Sequence, residues 1–239
     1  MNVIILGATS GLGRGTAELF AEAGHKVGIA GRRIDRLLET AAKYPNQVVF
    51  KVIDVIEDNF TLKIEQLIEQ LGTVDLFLYS SGVGKENFNV DYDIEKWTND
   101  VNINGFTKAI CFMYDFFSKQ GYGHLATISS IAGYRGIGGS SAYSASKSYQ
   151  RVYFEAIANG TKKLKRSIKF TTIIPGFVDT EIIAGRNYPL TISCAKASKL
   201  IYKGLLKKQR YIYVDGKWWF ISILMKLIPR CIWERLSLK

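Results

Sequence analysis

Val3-Ile4-Ile5-Leu6-Gly7-Ala8-Thr9-Ser10-Gly11-Leu12-Gly13 is the stretch whose reading decides the fold. Val3 to Leu6 is a β-rich apolar run, and three glycines follow within seven residues. Beyond them Ala17, Leu19, Phe20 and Ala23 recur at helical spacing as far as Gly24, a suitable helix stop. A strand, a glycine-rich turn and a helix together form an arrangement that binds a pyrophosphate. Glycine lets the backbone turn tightly and approach the ligand, and a helix N-terminus offers unpaired N–H groups. An ordinary strand-to-helix turn is the bland alternative. A P-loop is excluded on spacing, because no Gly-Lys-Ser/Thr follows.

Working outward, a second strand is expected at Lys26 to Ala30, ending in Gly31-Arg32-Arg33. An acid at this place would suit the ribose 2′-hydroxyl of NAD(H). Arg32 and Arg33 instead suit a 2′-phosphate, so NADP(H) is expected in preference to NAD(H). A solvated basic helix start is the other reading. Gln47 to Ile53 is a third strand, followed by Asp54-Val55. Asp54 can receive an adenine amino group or cap the next helix, which is expected to bury Leu62, Leu67, Ile68 and Leu71. Val74 to Tyr79 is a fourth strand, and Ser80-Ser81-Gly82 after it lets the backbone pass close to a cofactor.

A long helix is expected from Ile94 to Lys119, with Asn102 in Val101-Asn102-Ile103-Asn104-Gly105. Asn and Gly are poor inside helices, so this run points to a kink or a site. Its stripe of Phe112, Met113, Phe116 and Phe117 reads as core, or as a subunit interface. His124 to Ser130 is a fifth strand, and a flexible loop with Gly133, Gly136, Gly138 and Gly139 leads into the next helix. That helix carries Tyr143 and Lys147, four residues apart and so on one face. A cation beside a phenol favours the phenolate, which tunes a proton donor or acceptor. Ser130, thirteen residues before Tyr143, can converge with it on one carbonyl oxygen. A sixth strand, Ile168 to Ile174, ends in Pro175-Gly176-Phe177-Val178-Asp179-Thr180, a turn suited to a carboxamide.

The order and spacing of these residues resemble a short-chain dehydrogenase/reductase of the compact type, over about residues 1 to 214. The resemblance rests on Gly7-x-x-x-Gly11-x-Gly13, Asp54, Asn102, Ser130, Tyr143-x-x-x-Lys147 and Pro175-Gly176. It implies a doubly wound, Rossmann-type α/β fold: a three-layer α/β/α sandwich with a parallel sheet of about seven strands. It also implies hydride transfer between a nicotinamide cofactor and a carbonyl or alcohol. Tyr143 would be general acid or base, Ser130 would orient the substrate oxygen, and Lys147 would hold the ribose and lower the tyrosine pKa. Asn102 would support a proton-relaying water. The cofactor set is Gly7, Thr9, Ser10, Gly11, Leu12, Gly13, Arg32, Arg33, Asp54, Val55, Ser81, Gly82, Tyr143, Lys147, Pro175, Gly176, Val178 and Thr180. A homodimer or homotetramer through the helices of Asn102 and Tyr143 is implied, with Tyr149, Tyr153 and Phe154 available for it. Two departures stand out: Leu6 replaces a threonine, and Tyr79-Ser80-Ser81-Gly82 replaces Asn-Asn-Ala-Gly. A catalytically silent NAD(P)-sensing regulator or a peripheral membrane interaction protein is the alternative, although a sensor has no need of Ser130, Tyr143 and Lys147 together.

The length, 239 residues, suits a single domain over residues 1–214 with an amphipathic segment at 215–239. Three scattered cysteines and two histidines, with no CxxC, argue against a metal site or disulfide framework and fit a reducing cytoplasm. The N-terminus reads as a strand starting at once rather than as a signal peptide. The net charge of +11 is concentrated at the end, where residues 196–239 hold eleven Lys/Arg against two acids. Glu181 to Ser193 has few bulky residues, which suggests an open substrate pocket. A basic helix from Lys196 and a strand at Arg210 to Val214 precede the apolar tail from Lys217 to Trp233, where Ser222, Lys226 and Arg230 form a thin polar stripe. The tail is too short in its apolar runs to span a membrane. It reads as a helix packed on the body or a partner subunit, or as an interfacial helix on an anionic membrane, in which case the substrate would be a lipid-like or long-chain ketone. Nucleic acid is not expected, since no reader motif is present.

Overall fold

The computed structural model describes residues 1–183, 185 and 188–236. Of the expected covering loop, Ala184, Arg186 and Asn187 lie outside the described residues. Strand β1 (Asn2–Leu6) runs directly into the glycine turn and helix α1 (Gly11–Glu22). Then come β2 (Lys26–Gly31), α2 (Ile34–Lys43), β3 (Val48–Val52), α3 (Phe60–Leu71) and β4 (Leu76–Tyr79). The second half holds α4 (Tyr92–Asn99), α5 (Phe106–Gln120), β5 (Tyr122–Ile128), α6 (Ser141–Lys163) and β6 (Ser167–Pro175). After these the chain forms β7 (Val178–Asp179), β8 (Ile192–Ser193), α7 (Cys194–Leu206), β9 (Tyr211–Val214), α8 (Gly216–Leu227) and α9 (Arg230–Trp233).

Seven strands form one parallel sheet in the order β3-β2-β1-β4-β5-β6-β9, and β7 pairs with β8 apart from it. Parallel strands covered on both faces read as continuous apolar runs, which is why Val3 to Leu6 has no polar alternation. Successive side chains of β1 point to opposite faces. Ile4 and Leu6 join Phe60, Ile64, Leu67, Phe106, Met113 and Phe154 from α3, α5 and α6 in one core. Val3 and Ile5 join Ala17, Phe20, Leu37, Ile201 and Leu205 from α1, α2 and α7 in the other. The result is a doubly wound α/β/α sandwich of seven strands. The strand order reverses between β1 and β4, and the crevice beyond the carboxyl ends of the strands opens there.

The long helix expected from Ile94 to Lys119 is interrupted by one π-helical segment, Asp100–Gly105, between α4 and α5. A π turn releases carbonyls from the regular ladder. The Val101 carbonyl accepts from the Tyr79 hydroxyl at 2.8 Å, and that of Asn102 accepts from Gln150 Nε2 at 2.8 Å. Tyr79 therefore has a structural partner at the position where the family pattern has an asparagine.

Several expectations are corrected. Leu62 faces solvent, because the buried positions of α3 are Phe60, Ile64, Leu67 and Ile68. Asp54 does not cap α3, whose N-cap is Asn59; Asp54 Oδ1 accepts instead from Ile56 N at 3.3 Å. Ser222, Lys226 and Arg230 do not form a solvent stripe. Ser222 is fully buried on the inner face of α8, and Pro229 starts a new helix before Arg230. The loop after Ser130 is not slack. Arg135 donates to the carbonyls of Met225, Lys226 and Ile228, and Ile137 N donates to Ser144 Oγ at 3.2 Å. No helix among the described residues is long and apolar enough to cross a membrane.

Candidate active site

The crevice holds a cavity of about 440 Å³ whose lining includes the β1–α1 turn, Arg32, Arg33, Asp54, Val55, Ser81, Gly82, Ser130, Tyr143, Lys147, Pro175, Gly176, Val178 and Thr180. The structure thus brings together residues that lie up to 173 positions apart. Its floor is the glycine turn. Gly7 has φ +93°, and a Cβ there would strike the backbone of Ser81, so the turn can take only glycine. Gly7 N and Ala8 N both donate to the Ala30 carbonyl, at 2.8 and 2.9 Å. Ser10 is the N-cap of α1, yet no side chain caps that helix. Its first-turn N–H groups are therefore available to an anion in the cleft. Leu12 lines the cleft and packs, partly buried, against the core below.

Ser10 is engaged elsewhere. Its hydroxyl accepts from Arg33 Nη2 at 2.7 Å and donates to Glu181 Oε2 at 3.0 Å. Arg33 also reaches Thr9 Oγ1 at 3.1 Å and both carboxylate oxygens of Glu181 at 3.0 and 2.8 Å. The arginine holds the Glu181 carboxyl below its ordinary pKa, against the upward push of burial. A carboxylate thus already occupies the place where Arg33, Thr9 and Ser10 converge. Arg32 lies 3.9 Å from Asp54. The Thr180 hydroxyl turns back to its own loop and donates to the Val178 carbonyl at 3.2 Å. Glu181 also shows that the covering loop is pinned at its start, and Tyr188 stacks on Phe177 at 4.1 Å, so the described part is less open than its composition suggests.

At the other end of the cleft, Ser130 caps a 3₁₀ turn (Ile131–Gly133), its Oγ accepting from Ala132 N at 3.1 Å. Tyr143 lines the cleft together with Ser130. Burial pushes the phenol above its ordinary pKa, and the serine pulls it part of the way back. Lys147 does not supply the expected lowering. Its ammonium stands 5.7 Å from the Tyr143 ring centroid and donates to the Ile128 carbonyl at 2.9 Å and to Gln150 Oε1 at 3.0 Å. Burial without a carboxylate partner pushes Lys147 down to about 7. Asn102, fully buried, clamps the chain beyond β4: Nδ2 donates to the Val83 carbonyl and to Ser146 Oγ, and Oδ1 accepts from Val83 N. Sequence reasoning missed Gln150 and Glu181. Gln150 lies three residues beyond Lys147 on α6, a helical neighbour position that could have pointed to it. Glu181 meets Arg33 across 148 residues, which no local pattern signals.

The model of the short chain dehydrogenase family matches residues 1–189. An uncharacterized oxidoreductase of Myxococcus xanthus is 32% identical over 239 residues, covering 97% of this chain and 94% of the relative. Among solved structures, a short chain dehydrogenase/reductase from Burkholderia phymatum in complex with NAD superposes with a TM-score of 0.84 at 19% identity, covering 93% of this chain and 92% of the other. The closed form of a serine dehydrogenase complexed with NADP⁺ gives 0.79 at 22% identity, covering 89% of this chain and 94% of the other. The chain belongs to the short-chain dehydrogenase/reductase family of oxidoreductases.

Proposed function

We propose that the protein is an NADP(H)-dependent oxidoreductase that interconverts a carbonyl and an alcohol. The observation that carries the reading is the convergence of Ser130, Tyr143 and buried Lys147 on the same cleft as the glycine turn. The residues fit a nicotinamide dinucleotide. The uncapped start of α1 with Gly7, Gly11 and Gly13 suits the pyrophosphate. Thr9, Ser10 and Arg33 already hold a carboxylate, and Arg32 is adjacent, which suits a 2′-phosphate. Asp54 and Val55 suit the adenine; Ser81, Gly82 and Lys147 the ribose; Pro175, Gly176, Val178 and Thr180 the carboxamide. When bound, the nicotinamide supplies or accepts the hydride.

The chain's own residues handle the proton. Ser130 donates a hydrogen bond to the substrate oxygen, and Tyr143 gives that oxygen its proton as negative charge develops. Burial raises the phenol above its ordinary pKa, so Tyr143 enters the reduction as a proton donor. Lys147, pushed to about 7, changes protonation in the working range. Gln150 positions it. Asn102 acts through the Val83 clamp and through its carbonyl, which Gln150 occupies.

The half-buried aromatic face of α5 and α6, where Tyr149 and Tyr153 stack at 5.3 Å, supports a homodimer or homotetramer. The scattered cysteines and the lack of a CxxC support a reducing cytoplasm. The test is a panel of carbonyls from short to long chain, assayed with NADPH and with NADH. Turnover with NADPH in preference to NADH is expected. A protein that consumes neither cofactor with any member, in either direction, would not be this enzyme.

A further inference from the structure

We infer that the outer face of α8 and α9 is a docking surface for an anionic lipid bilayer. Helix α8 settles onto the body through Trp218, Ser222 and Met225, one face at helical spacing, all three buried. Trp218 and Met225 join Ile131 and Ile174 in a separate small core. With the inner face satisfied, the outer one should be polar, and it is not. Trp219, Phe220, Leu224 and Leu227 are 50, 56, 44 and 72% exposed. Four bulky apolar side chains on one short helix form a contiguous patch of the kind that marks an interaction site.

Cations frame the patch. Lys217 and Arg230 are exposed beside it, the Lys226 ammonium at its edge lies over the Tyr134 ring at 4.3 Å, and Glu234 is the only acid among residues 216–236. At about 1.5 Å per residue the twelve residues of α8 reach about 18 Å, well short of a bilayer core. Apolar and aromatic side chains ringed by Lys and Arg are what a helix lying in the plane of an anionic interface presents. A second copy of the chain fits less well. A two-fold contact through this face would bring two copies of the same cationic patch together, with Glu234 the only acid of the segment to offset it.

The surface is rigidly mounted next to the reaction cleft. Arg135 occupies the open carbonyls at the end of α8, and Trp233 Nε1 donates to the Gly136 carbonyl at 2.8 Å. Both anchor points lie in the loop between Ser130 and Tyr143. On the other side, Trp218 packs on Gly176, where a Cβ would overlap the indole, and meets Phe177 edge-on at 5.4 Å. A bilayer touching α8 would therefore lie at the rim of the site, where an amphipathic substrate could enter from the lipid.

The experiment is sedimentation of the full chain with vesicles of phosphatidylcholine alone and with about a third phosphatidylglycerol, at low and high salt. Pelleting is expected only with the anionic vesicles, reversed by salt. Because each cation near such a surface contributes about fivefold in partitioning, Lys217→Glu with Arg230→Glu should lower it by about tenfold or more. Trp219→Glu with Leu227→Glu should do the same, and circular dichroism should show both variants folded. Equal pelleting with the two vesicle types overturns the inference, and this comparison needs no variant. So does a Trp219→Glu/Leu227→Glu variant that changes the oligomer size by light scattering while binding vesicles as before, which would make the face a subunit interface. None of these readouts depends on catalysis.

Discussion

The side-chain amide of Gln150 bridges Lys147 and the backbone of Asn102, accepting from Lys147 Nζ at 3.0 Å and donating to the Asn102 carbonyl at 2.8 Å. All three residues are buried, and the carbonyl that Gln150 reaches belongs to the π-helical segment. Gln150 thereby orients the ammonium and leaves it without a negative partner.

Replacement of the amide tests this positioning role. Gln150→Leu should lower turnover by about ten- to a hundredfold, the cost of a misplaced group, with the fold intact. Gln150→Glu sets a carboxylate beside Nζ and raises the lysine pKa. The basic limb of the pH–rate profile should then move up by about one unit or more. A profile that stays put in Gln150→Glu would leave the bridge a purely structural contact.

Lys147 should also make stability depend on pH. Its pKa falls from 10.5 in the unfolded chain to about 7 when folded. Between these values the unfolded chain binds the extra proton, so stability rises with pH across that window, and the burden is full below about 7. Urea unfolding of the wild type and of Lys147→Met at about pH 6.5 and about pH 9.5 isolates the effect. The wild type should gain at least about 1 kcal/mol more than the variant over that interval. Parallel behaviour would show that the ammonium is not desolvated.

Glu181 competes for Arg33. Removing its charge in Glu181→Gln should tighten NADPH binding by about two- to fivefold, the modest scale of an exposed pair. NADH, which lacks the 2′-phosphate, should change less. Fluorescence titration of both cofactors checks the difference. Equal tightening would mean that Glu181 obstructs the cleft rather than standing in for a phosphate.

What could be read from the chain beforehand follows from which features are local. Val3 to Gly13 announces its own geometry, because an apolar strand, a glycine turn and a helix start are short-range features. The Tyr143–Lys147 spacing is likewise a property of one helix. The role of Tyr79 was not legible, since its hydroxyl matters only once the π turn leaves the Val101 carbonyl free. For Gln150 the contact with Lys147 was open to helical spacing, whereas the contact with the Asn102 carbonyl across 48 residues was not. Leu62 was misassigned because it lies about 140° round the helix from Leu67 and about opposite Leu71, so it cannot share their face. Composition shows that the tail is apolar, yet only packing decides that Trp218, Ser222 and Met225 go inward while Trp219 and Leu227 stay out. In place of the lowered phenol pKa expected from Lys147, burial raises it, while the ammonium is taken up by the Ile128 carbonyl and Gln150.

The most direct test of the central claim is the turnover of Tyr143→Phe on the best carbonyl substrate, measured beside NADPH affinity in the same preparation. Loss of the phenolic proton should lower turnover by a factor on the order of 100 or more while NADPH binds as before. Near-normal turnover with intact NADPH binding would contradict the account, because the proton would then come from a group other than Tyr143.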